Sequence, residues 1–203
     1  PRTVEELPAH GGVPFDAILG SHDLIMAVTE YSATAPLKMA ARTHGFRGAT
    51  MPGFNRAMVP ALMLDYGLIA RRCDFLKGLL DEAVAGEFLF QIRGGSEHFL
   101  RLDLRHRLAH SSGGLFPQRG QVGNLPSGEA YIVPYEGEQG PSESAGELPV
   151  QFEEEVVVYS IKNNRAHRVI VEGQQAAREE QLLRAEPAYG NMAELGLGVL
   201  ADF

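Results

Sequence analysis

The stretch Leu24-Ile25-Met26-Ala27-Val28, with Gly48-Ala49-Thr50-Met51 beyond it, decides the fold. The five apolar residues suit a buried strand, residues 33–44 suit a helix, and residues 48–51 form a second short strand that runs into Pro52-Gly53. Strand, helix, strand implies parallel pairing, because a crossover helix returns the chain to run beside the first strand in the same direction.

Working outward, Leu62, Tyr66, Ile69, Cys73, Leu76, Leu80 and Ala83 recur at alternating spacings of three and four residues. That is one face of an amphipathic helix over residues 62–83, the longest in the chain, with Gly86 marking its end. Cys73 lies on the apolar stripe with no local sign of activation, so it reads as a packing residue. Residues 88–92 and 100–104 read as strands, the second by alternation of Leu100, Leu102 and Leu104 with charge. The basic stretch 101–107 then reads as a solvated strand face. Residues 130–134 suit another strand, and 137–146 a surface loop. Residues 155–161 and 165–171 form a hairpin around Asn163-Asn164, and a short helix follows over 174–184. The fold class expected is α/β: a parallel-strand region over residues 1–90, forming part of an N-terminal domain, then a strand-rich α+β region over 91–203.

Composition narrows the partners. The 203 residues are 44% apolar and 22% charged, as in an ordinary globular protein, and are enough for a sizeable core. With 26 acidic and 18 basic residues the net charge is −8, and without a strongly basic block nucleic acid is not expected as a partner. No apolar run approaches the roughly 20 residues that span a bilayer, so no membrane association is expected either. One cysteine excludes an internal disulfide and fits a reducing compartment. With no basic-then-apolar signal pattern at the N-terminus, the cytoplasm is the expected location. The chain begins at Pro1 rather than methionine and stops at Phe203, so it is expected to be a piece of a longer protein.

Two motifs carry candidate chemistry. Gly123-Asn124-Leu125-Pro126-Ser127-Gly128-Glu129 and Asn191-Met192-Ala193-Glu194-Leu195-Gly196-Leu197-Gly198 each set one glutamate among glycines, where backbone can approach a ligand closely. Divalent ions need anionic oxygen ligands, and a bridging carboxylate offsets the repulsion of two neighbouring ions. Carboxylates alone do not fix zinc or cobalt, for which imidazoles are also needed. Asp103, His106 and His110 offer a weaker metal spacing: in a strand, the two histidines would lie about 13 Å apart. If the strand ends near Arg105, that objection weakens. The serines match no nucleophile elbow, and the glycines match no dinucleotide fingerprint.

Asn124 to Glu129, continuing through Ala130-Tyr131-Ile132-Val133-Pro134, and Asn191 to Gly198 resemble the two glutamate motifs of the aminopeptidase T-type metallopeptidases. Gly45-Phe46-Arg47-Gly48-Ala49-Thr50-Met51-Pro52-Gly53 and Asp65-Tyr66 are also similar to that family, and the matches fall in family order. The resemblance implies that Glu129 and Glu194 ligate metal in a site of two divalent ions, zinc, cobalt or manganese. It implies an aminopeptidase in which a metal-held water attacks the N-terminal peptide bond. The remaining ligands, histidines and an aspartate, are implied beyond residue 203. The dihydroxypyridine dioxygenases resemble the chain in the same motifs; for them one non-haem iron and ring cleavage are implied. One departure is Ala35, where relatives carry the histidine of a Thr-His-Thr pattern. A third alternative is a non-catalytic binding protein on a degenerate aminopeptidase fold. The partners expected are short peptides or a small-molecule substrate, and the assembly a homodimer; catalytic residues are not assigned.

Overall fold

A computed structural model describes residues 13–153 and 155–200. The N-terminal residues in which no signal pattern is read lie mostly outside them. The chain has a mixed α/β architecture and divides into two compact units, residues 1–75, 111–130 and 198–203 in one and 76–110 and 131–197 in the other. Among the described residues no helix is long and apolar enough to cross a membrane.

The first unit holds a three-stranded parallel sheet. A short helix α1 (Phe15–Gly20) leads to β1 (Leu24–Thr29), helix α2 (Thr34–His44) and β2 (Arg47–Pro52). β1 and β2 pair in parallel from Leu24 opposite Arg47 to Thr29 opposite Pro52, as the strand–helix–strand pattern requires. β6 (Val122–Asn124) joins the other edge of β2, with Thr50 opposite Asn124. α2 stops at Gly45, whose φ of 74° gives the left-handed cap that returns its N–H to the Ala41 carbonyl. Leu19, Leu37, Ala41, Phe46 and Val122 form the core, with Ile25 and Ala27 packed against it. β1 differs from the fully buried strand expected: Leu24, Met26 and Val28 are 57%, 54% and 62% exposed. It is an edge strand, and only its Ile25 and Ala27 face packs on the core.

The long helix α3 (Tyr66–Glu82) buries Ile69, Cys73 and Leu80, on the stripe read from sequence. It starts four residues later than expected. Leu62 belongs instead to a 3-10 helix (Arg56–Met63) that contains Pro60, and Asp65 accepts the Leu68 N–H at 3.0 Å, capping the new helix. It also ends earlier, since Gly86 lies inside a strand.

The second unit contains a five-stranded antiparallel sheet in the order β10-β9-β8-β4-β3. Its strands are β3 (Ala85–Gln91), β4 (Glu97–Asp103), β8 (Ala145–Phe152), β9 (Glu155–Lys162) and β10 (Arg165–Val169). Leu100 and Leu102 point inward as their alternation predicts, and Leu104 just beyond the strand is also buried. The hairpin turn between β9 and β10 has Asn163 and Asn164 at φ 51° and 63°, the left-handed pair expected there.

Asp103 corrects the solvated-face reading of residues 101–107, since it is only 1% exposed. Its carboxylate accepts from Arg105 Nε at 2.9 Å and Nη2 at 2.7 Å, and from the Glu143 N–H at 3.0 Å. The loop over 137–146 is likewise not wholly superficial: Ser142 and Ser144 are buried, and Ser144 Oγ accepts the Asp103 N–H at 2.9 Å. Helix α4 (Gln174–Ala185) follows the hairpin as predicted. It buries Ala176 and Glu179, and its Glu180 accepts the Val169 N–H from β10.

A third sheet has the order β11-β7-β5, from β5 (His110–Ser112), β7 (Glu129–Ile132) and β11 (Leu195–Gly198). The chain passes from one unit to the other inside α3, β5, β7 and β11.

Candidate functional site

In the first unit the first glutamate motif runs from the end of β6 to the start of β7 and borders a cavity of about 450 Å3. Ser112, Asn124, Ser127, Glu129, Gly198 and Leu200 contribute to its lining. Backbone pairing positions the entry to the motif: Leu125 N–H donates to the Thr50 carbonyl at 2.9 Å, extending the β2–β6 ladder, and a cis Leu125–Pro126 bond follows. At Gly128 the chain from the second motif comes close. The Val199 N–H donates to the Gly128 carbonyl at 2.8 Å, and a Cβ on Gly128 would lie 2.6 Å from Leu200 Cδ2. The glycine is there for that approach.

Two hydroxyl groupings organise the walls. Thr34 Oγ1 and Thr50 Oγ1 lie 2.7 and 2.6 Å from Asn124 Oδ1 and donate to it, and lie 2.8 Å from each other. Ser127 Oγ donates to the Ser112 carbonyl at 2.7 Å and shares a 2.6 Å hydrogen bond with Ser112 Oγ. Cys73, fully buried, points its Sγ at the Ser112 carbonyl at 3.9 Å. Burial pushes its thiol up, and the charges of Asp74 and Glu129 push it further, opposite to what a nucleophile needs. Cys73 is a packing residue, as its place on the helix stripe implies.

Glu129 is half-buried at the cavity. Glu194 is exposed just before β11, and the second motif reaches the lining through Gly198 instead. The start of that motif is held within the second unit. There Met192 N–H donates to the Asn164 carbonyl, Asn164 Nδ2 donates to the Met192 carbonyl, each at 3.0 Å, and Asn191 Nδ2 donates to Glu136 at 2.7 Å. β4 ends at Asp103 and His106 has φ 61°, so the strand objection to the Asp103, His106 and His110 spacing falls away. The imidazoles are nonetheless engaged with rings, His106 edge-on to Tyr135 and His110 stacked on Tyr131.

Among the described residues no three of His, Cys, Asp and Glu converge as a metal site. The cavity offers one carboxylate with hydroxyl and amide groups, which does not complete a site for a zinc, cobalt or manganese pair or for iron. Sequence reasoning missed the Thr34–Thr50–Asn124 grouping. The available clue was Thr50, the one hydroxyl in the short strand 48–51, but its partner lies 74 residues away.

No protein-family model and no curated protein matches the chain. Among solved structures, the chain is similar in fold to 2,5-dihydroxypyridine dioxygenase from Pseudomonas putida KT2440, with a TM-score of 0.68 over 91% of this chain at 16% identity. The chain spans about half the length of that structure, 53%.

Proposed function

We propose that the chain is part of a metal-dependent enzyme acting on small oxygen-bearing molecules, and that the reaction is ring cleavage with one non-haem iron. The observation that carries this reading is the fold likeness to the Pseudomonas putida dioxygenase over 91% of the chain. The placement of Glu129 on a concave, partly polar site adds support, because few polar groups in a shaped cavity are how small substrates are held. Glu129 and Glu194 are our proposed carboxylate ligands, the first on its place at the cavity and the second on its motif alone. These carboxylates by themselves do not make an iron site, so imidazole ligands from outside the described set are part of the proposal.

A second reading is favoured by one residue. Ala35, exposed on α2, is the departure from the Thr-His-Thr pattern of the resembled relatives. That departure counts against the dioxygenase reading, and the competing one is a metal-dependent exopeptidase using zinc, cobalt or manganese on short peptides with a free N-terminus.

Elemental analysis of the purified protein, joined to two assays, tests both. About one equivalent of iron with oxygen-dependent loss of 2,5-dihydroxypyridine absorbance supports the first reading. About two equivalents of zinc, cobalt or manganese with release of leucine from leucyl-glycine transfers support to the second. Metal-free protein inactive in both assays leaves a binding protein.

A further inference from the structure

Resting on the reading of this cavity as a small-molecule site, we infer that Asn124 is its hydrogen-bond donor, and that its amide nitrogen takes the carbonyl oxygen of a neutral amide. A carboxamide has one acceptor oxygen and two N–H donors on opposite branches of a planar group. In Asn124 the oxygen is occupied by Thr34 Oγ1 at 2.7 Å and Thr50 Oγ1 at 2.6 Å. Thr50 is completely buried and its strand is paired in register with β6, so the grouping is fixed from behind. Among the described residues Asn124 Nδ2 has no hydrogen-bond partner, while the residue is exposed and lines the cavity.

The other polar groups of the lining narrow the ligand. Ser112 and Ser127 spend their hydroxyls on each other and on the Ser112 carbonyl, which leaves Asn124 as the side chain with donor capacity toward the cavity. With no metal held there, the carboxylate of Glu129 on the same lining disfavours anionic ligands. A neutral carbonyl is the complement of this pair of features. The oxo form of a hydroxypyridine carries one, and so does a peptide; the shared chemistry is the amide carbonyl oxygen.

The test is a side-chain amide NMR titration of the purified chain, in which the Asn124 NH2 pair is identified by its loss in both Asn124→Asp and Asn124→Ala. The probes are 2-pyridone, 2,5-dihydroxypyridine and leucinamide. We expect 2-pyridone to move the Asn124 pair saturably, and Asn124→Asp to weaken its binding about tenfold or more, since an acceptor replaces the donor. A pair unmoved by 2-pyridone overturns the inference, as does equal affinity in wild type and Asn124→Asp. Movement with 2-pyridone but with neither substrate-like probe leaves the donor standing and removes the functional reading above. Where 2-pyridone moves the pair, movement also with just one of 2,5-dihydroxypyridine and leucinamide supports the donor and separates the ring source of the carbonyl from the peptide one.

Discussion

The Tyr159 hydroxyl donates to the Glu179 carboxylate at 2.8 Å where both residues are buried, β9 meeting α4. Tyr189 donates to the same oxygen at 3.0 Å and Gln175 to the other at 2.8 Å. This carboxylate is therefore solvated by side chains in place of water, and each donor lost leaves part of its charge uncompensated. Tyr159→Phe should cost about 1–3 kcal/mol in chemical denaturation. Burial, and then the Glu179 hydrogen bond and charge, push the Tyr159 phenol above its ordinary 10.0. A raised folded value means the contribution is complete below about pH 10 and is lost as pH climbs beyond it. Spectrophotometric titration at alkaline pH should show one tyrosine ionising only with unfolding; full ionisation of the native chain near pH 10 would contradict this.

Acid should act on a different group. Burial alone would push the Asp103 carboxyl up, but the Arg105 guanidinium and the N–H groups of Glu143 and Arg105 outweigh it and hold it at about 2. A lowered folded value means the stabilisation is present above about pH 4 and disappears as pH falls through about 2. The Arg105 side chain is 36% exposed, which screens the pair, so Asp103→Asn should cost about 1–3 kcal/mol at neutral pH. Melting curves from pH 7 to 2 should show the gap between wild type and variant closing with acid.

Gly146→Ala tests the join between β8 and β4. Gly146 has φ 132°, and a Cβ there would collide with the Phe99 carbonyl oxygen and lie 2.9 Å from Leu100 Cα. Both obstacles are backbone, with no flexible end to swing aside. A loss of about 2–4 kcal/mol is expected, and an unchanged urea midpoint would show the close approach to be wrong.

For the proposed ligands the expected behaviour depends on metal. Glu129→Gln and Glu194→Gln keep shape but remove anionic charge, so bound metal and activity should fall together about tenfold or more while the fold persists. A wild-type Tm indifferent to chelator, with both variants lowering Tm equally in its presence and absence, would assign the glutamates a purely structural part.

Local patterns were legible where local physics sets them. β1, α2 and β2 follow from hydrophobic runs and a glycine cap, and the buried stripe of α3 from its spacing of three and four. The composition of residues 137–146 reads as a surface loop, and β8 begins inside that stretch at Ala145. Pro149 is tolerated because the pairing of β8 with β4 involves Ala145 and Gly146, while Pro149 lies in the part paired with β9. The burial of Asp103 was hidden for a related reason: its partner Ser144 lies 41 residues away. At the candidate site Glu129 was legible from its glycine-rich motif. The threonines behind Asn124 were not, since only the parallel register of β2 with β6 brings them to it.

Each passage of the chain between the two units falls within α3, β5, β7 or β11. In genetic terms neither unit corresponds to one uninterrupted run of codons. A single breakpoint anywhere between residues 76 and 197 would divide both units, and it would interrupt a hydrogen-bonded element if it fell at a boundary. Inheritance of this architecture therefore favours transmission of the two units together, with change accumulating by substitution in place rather than by exchange of a module.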